Sequence, residues 1–147
     1  MNLYASITWM FIGSIFIGYL LVSSLLVNTF ENIENSLTKL YIALYMALWM
    51  VGLEILMYYF YNGGAYIILL LLTTFIFIIV VYYLARSQIG IDDDQYMKAM
   101  IQHHSTAILT SNEILKKSRN PAVISLAEQI IISQEAEINL MNSLLDR

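Results

Sequence analysis

Cysteine is absent from the 147 residues, which removes disulfide frameworks, thiolate zinc sites, iron–sulfur clusters and cysteine nucleophiles together. Charge is also scarce: 12% of the residues are Asp, Glu, Lys or Arg, whereas 59% are hydrophobic and the mean hydropathy is +0.68. Soluble domains are about 45–50% apolar, so the composition is that of a membrane protein. Enzyme signatures are missing as well. There is no H-E-x-x-H, no phosphate-binding glycine loop and no G-x-S-x-G, and the chain reads as a non-enzyme. The net charge of −4, with acids and bases interspersed, argues against a nucleic-acid footprint.

The apolar excess lies in three stretches, Leu3 to Val27, Leu40 to Tyr61 and Tyr66 to Leu84, each near the roughly 20 residues that carry a helix across a bilayer. Only Glu54 is charged within them. The first has neither a basic n-region nor an A-x-A cleavage signal and is read as a retained span. Residues 1–85 thus form a transmembrane domain, and 86–147 a polar C-terminal module. Asn62-Gly63-Gly64 is a tight turn that makes the second and third spans antiparallel neighbours. Trp9, Tyr58, Tyr59, Tyr61, Tyr82 and Tyr83 look like interfacial belts. With three spans, all seven basic residues, from Lys39 and Arg86 to Arg147, fall on one side, which the positive-inside rule places in the cytoplasm with the C-terminal module; the N-terminus faces out.

After Gly90, Asp92-Asp93-Asp94 offers an N-cap and favourable charge for a helix running to about Lys117. A calcium reading of those acids lacks the rest of an EF-hand loop. Asn120 and the chain's one proline, Pro121, break and restart the chain, and a second helix follows to about Leu145. The module is a helical hairpin. Two helices bury little alone, so pairing with another copy into a four-helix bundle is expected, at least a homodimer; the alternative is folding back on the membrane or on its own spans.

The chain's only two histidines, His103 and His104, follow Met97 and Met100, and at about 100° per residue these four share one helical face. Thioether sulfur is soft and imidazole borderline, a donor set suited to copper, preferably cuprous. Adjacent histidines diverge by about 100°, so each needs a further donor from a methionine or from the opposite helix. That helix supplies Gln134, Glu137 and Met141 on one face. Glu137 can ligate, accept a hydrogen bond from a histidine Nδ1, or both, and Gln134 can do the second without charge. The alternative is that the methionines are core filler and that the glutamate and histidines form a satisfied polar network. The di-iron pattern of ferritin-like proteins needs Glu-x-x-His on two helices, whereas methionines stand at Met97 and Met100.

In the second span, Met46, Met50, Glu54 and Met57 lie within roughly 80° of one another on a helix. An intramembrane carboxylate is costly. It either guides a cation or a proton, or it is protonated or hydrogen-bonded to Tyr58 or another span while the methionines pack.

Taken together, Asp93-Asp94-Gln-Tyr96-Met97-Lys98-Ala99-Met100-Ile101-Gln102-His103-His104-Ser105-Thr106-Ala107, Asn120-Pro121, Leu126-Ala127-Glu128-Gln129-Ile130-Ile131, Gln134 and Glu137-Ile138-x-x-Met141 closely resemble the domain-of-unknown-function family numbered three hundred and five. Upstream, Asn28-Thr29, the methionine-bearing second span and Arg86-Ser87-Gln88 look like its membrane-anchored bacterial members. The resemblance implies a ferritin-like helical bundle and, from some secreted relatives, copper binding and tolerance. The implicated positions are Met97, Met100, His103, His104 and Met141, with Gln134 and Glu137 as motif residues. Gln102 stands where the family often has proline, the second span is thinner in methionine, and one hairpin is present where many soluble relatives carry two. The last departure favours dimerisation.

Overall fold

The computed structural model describes residues 2–145, which are all-helical, with no strand among them. α1 (Leu3–Phe16) continues through a π-helical turn, Ile17–Val22, and a short 3-10 turn at Phe30–Asn32 precedes α2 (Leu37–Asn62); α3 (Ala65–Arg86), α4 (Asp93–Leu115) and α5 (Pro121–Leu145) follow. Three of these segments are long and apolar enough to cross a membrane: Leu3–Val22, Leu37–Asn62 and Ala65–Arg86. The chain divides into two compact units, Met1–Ser23 with Thr38–Gly90, and Ser24–Leu37 with Ile91–Arg147.

In the first unit, Asn2 caps α1 by accepting a hydrogen bond from the Ala5 amide at 2.8 Å. Val51, Ile55 and Ile67 form a buried cluster against which Ile7 and Phe11 of α1 pack, so all three apolar helices share one seam. Gly18, in the π-helical turn, comes close enough that an added Cβ would lie 3.5 Å from Ala43, the close backbone approach that small residues give helix pairs in lipid. Hydroxyls inside the apolar helices donate back along their own helix, Thr8 to the Tyr4 carbonyl and Thr74 to the Leu70 carbonyl. That satisfies these hydroxyls within the apolar helices themselves. The α2–α3 turn forms at Gly63 and Gly64, whose φ values of 64° and 115° lie where a side chain is strained.

The helix boundaries differ from the sequence expectation in two places. The first apolar helix ends at Val22 and not at Val27, and beyond it the backbone amide of Asn28 donates to the Ser105 hydroxyl at 2.8 Å. α2 begins at Leu37, three residues before Leu40. There the Leu37 amide, an orphan donor at a helix start, is satisfied by the Gln95 side-chain oxygen at 2.7 Å.

The Gly64→Ala variant is expected to lower stability by about 1–2 kcal/mol, the cost of a side chain at positive φ, measured as a lowered thermal midpoint in detergent; an unchanged midpoint would show that the turn tolerates another geometry.

Candidate functional site

The second unit is built on the α4–α5 hairpin. Asp92 caps α4, its carboxylate accepting from the Gln95 amide at 2.8 Å, with Asp93 and Asp94 in the first turn against the positive end of the helix dipole. At the other end Lys116 pairs with Glu113 at 2.5 Å and holds that exposed carboxyl below the ordinary carboxylate range. Asn120 accepts from the Ala122 amide at 3.0 Å and starts α5 at Pro121. Ile101, Ile108 and Ile138 are buried between the helices, with Met141 and Leu145 packed on them. Each such isoleucine contributes about 1.5–3 kcal/mol by leaving water.

His104 sits in the same interhelical seam, 6% exposed. Its Nδ1 lies 2.7 Å from the Met100 carbonyl oxygen and its Nε2 lies 2.6 Å from Glu137 Oε2. A carbonyl oxygen only accepts, so Nδ1 carries hydrogen. Nε2, and not the Nδ1 expected from the sequence, is therefore the ring nitrogen that meets the Glu137 carboxylate, because Nδ1 is taken by the carbonyl of its own helix. This contact ties α4 to α5. The Glu137 side chain is 53% exposed, so water screens the pair, and its net worth is about 1 kcal/mol, near that of surface ion pairs.

His103 diverges as adjacent helical residues must. It is exposed, its ring 6.1 Å from that of His104 and turned by 80°. Met97, Met100, Gln134 and Met141 are half-buried. Gln134 is 3.4 Å from the Ser133 hydroxyl, and Met141 belongs to the isoleucine cluster. The structure thus brings His104 and Glu137 together and leaves His103 on the surface beside them. Among the described residues, no group of three or more His, Asp or Glu side chains is placed to hold a metal ion.

Ser105 was not singled out by sequence reasoning. It is fully buried next to His104 and accepts hydrogen bonds from the Asn28 amide at 2.8 Å and the Asn32 side chain at 3.4 Å. The segment between the first two apolar helices is thereby fastened to α4. No periodicity announces such a contact; Asn28, conspicuous only as the first polar residue after an apolar run, is the nearest signal.

Within the first unit, Ser6 of α1 donates to the Glu54 carboxylate, one of the two alternatives open for that group. Met46, Met50 and Met57 are 41%, 42% and 51% exposed on the outer side of α2.

Three apolar helices followed by a capped hairpin with a histidine–glutamate bridge define an all-helical protein with helices long enough to span a membrane. Residues 84–146 match the family described as Domain of unknown function (DUF305). Over 138 residues the chain is 40% identical to an uncharacterized protein of Acanthamoeba polyphaga mimivirus, an alignment covering 93% of this chain and 89% of that one. No solved structure matches the chain. The chain belongs to the DUF305 family.

Replacing Ser105 with alanine strands the Asn28 amide, at a cost of about 1–3 kcal/mol. Hydrogen exchange across residues 24–37 should then accelerate while exchange in the middle of α2 stays unchanged. Equal protection of Asn28 in both proteins would mean that the contact contributes nothing to holding the segment.

Proposed function

We propose that this is an integral membrane protein, with its N-terminus outside and its hairpin in the cytoplasm, whose hairpin binds copper in the cuprous state for storage, handover or tolerance. It acts as a binding protein and not as an enzyme. The observation that carries the reading is the buried His104 joined across the hairpin to Glu137, with the thioethers of Met97 and Met100 on the preceding turns and Met141 on the returning helix. The soft sulfur and imidazole donors suit a cuprous ion. A single hairpin holds only His104 and Glu137 in direct contact, so the remaining donors, His103 among them, complete a site when hairpins assemble as a homo-oligomer in the bilayer.

The ion and the proton compete for the same lone pair. Nε2 of His104 can ligate only with its lone pair free of a proton and turned away from Glu137, so ion binding and the Glu137 contact exclude each other.

The decisive measurement is a chelator-competition titration of detergent-purified protein with cuprous ion. Wild type should bind a stoichiometric amount, and the His103→Gln/His104→Gln double variant none. Unchanged binding by the double variant would reject these residues as the site.

A second reading is favoured by one specific observation: both ring nitrogens of His104 already have partners. On that reading the pair specifies how helices assemble and no ion takes part. Metal-stripped protein separates the two ideas, since the copper reading predicts that added ion raises the thermal midpoint, whereas a purely structural bridge predicts the same midpoint with and without it.

A further inference from the structure

The two sides of the hairpin are treated differently. On one side Ser105, one position after His104, meets Asn28 and Asn32, and a polar cleft lined by those asparagines with Asn139 and Asn142 of α5 lies along the same side. The chain's own connection covers it. On the other side α4 presents Tyr96, Met100, His103, Ala107, Thr110 and Ile114, at alternating steps of four and three. α5 presents Val123, Leu126, Ile130, Ser133, Glu137 and Leu140, at alternating steps of three and four. Each series stands one residue before the buried one of its helix, Ile101-His104-Ile108-Ser111 and Ala127-Ile138. In two antiparallel right-handed helices, positions one before the contact seam fall on the same side of the pair. The structure agrees: Thr110, Ile114, Val123, Leu126 and Ile130 line one open groove.

A repeat of 3.5 residues is what another helix imposes, each side chain inserting between four of its partner. A lipid surface asks only for a broad apolar face and would not select alternating steps. Tyr96, Leu126 and Leu140, large and apolar, are nonetheless 54%, 57% and 59% exposed. The chemistry of the seam also selects its occupant. It is apolar toward both ends, while its middle carries one imidazole, His103, level with one carboxylate, Glu137, and, one turn along, the small Ala107 level with Ser133. A face of this kind complements itself.

We infer that the open side of the hairpin docks a second copy of the same hairpin about a two-fold axis parallel to the helices, setting His103 opposite Glu137 of the partner subunit. This rests on the paired hairpins proposed above and gives them a face and a register. About that axis α4 faces the partner's α5, so neighbouring helices run antiparallel and their dipoles oppose favourably. Ala107 faces Ser133 of the partner subunit, where the small side chains admit close packing. Both copies also enter α4 from the same end, as two chains whose preceding helices lie in one bilayer require. An axis across the helices would put α4 on α4 and the two entry points at opposite ends.

The absence of cysteine makes the test clean. Full-length Ala107→Cys and Ser133→Cys proteins, co-expressed in one membrane with copper chelated, are oxidised with diamide. Paired variants should give a reducible product at twice the 16.9 kDa chain mass, and either variant alone should not. Doubling by Ala107→Cys alone would overturn the register, and an Ile132→Cys product, from the outer side of α5, would overturn the face. Native mass spectrometry of wild type separates this inference from its premise: a dimer that fails to cross-link refutes the face alone, whereas a monomer refutes paired hairpins altogether. Leu126→Glu should abolish the dimer and Ile132→Glu should leave it, with circular dichroism showing helix content retained in both. Copper plays no part in these readouts, so loss of ion binding with the cross-link intact counts against the copper reading alone.

Discussion

One contact, between His104 Nε2 and Glu137 Oε2 at 2.6 Å, joins the two helices of the hairpin. Because Nδ1 is engaged by the Met100 carbonyl, the ring has a single nitrogen with which to do anything else, and that nitrogen is committed to the opposite helix. The contact belongs to a seam of isoleucines that supplies most of the cohesion between α4 and α5. The half-exposed carboxylate adds little energy by comparison. What it adds is register: it matches one level of α4 to one level of α5 and fixes the imidazole's orientation, so that neither can shift without breaking that bond.

Two adjacent histidines consequently have separate fates. The helix turns by about 100° per residue, so once His104 takes the inward position, His103 is carried outward. Sequence spacing gives that divergence, but it cannot say which of the two goes in. The choice follows from neighbours: Ile101 and Ile108, three before and four after His104, are the buried pair, and they carry His104 with them.

Much of the fold was legible because its signals are local. Apolar runs of spanning length, the Asn62-Gly63-Gly64 turn, the Asp92 cap and the Asn120-Pro121 restart each act within a few residues, and each appears where the residues indicate. Glu137 facing a histidine was legible too, from its place on the returning helix. The contacts that escaped join residues far apart in sequence: Ser105 with Asn28, Gln95 with Leu37, Ser6 with Glu54. Each is a side-chain hydrogen bond made by a residue type common in any polar stretch, and its partner is chosen by three-dimensional proximity that no periodicity encodes.

The fastening of Ser24–Leu37 to α4 makes the second unit discontinuous along the chain. A soluble fragment cut at Ile91, the obvious choice for handling the hairpin without lipid, would leave behind the amide and the carboxamide that fill the pocket around Ser105. Its bare flank would then be open to associations that the intact polypeptide covers with its own connection.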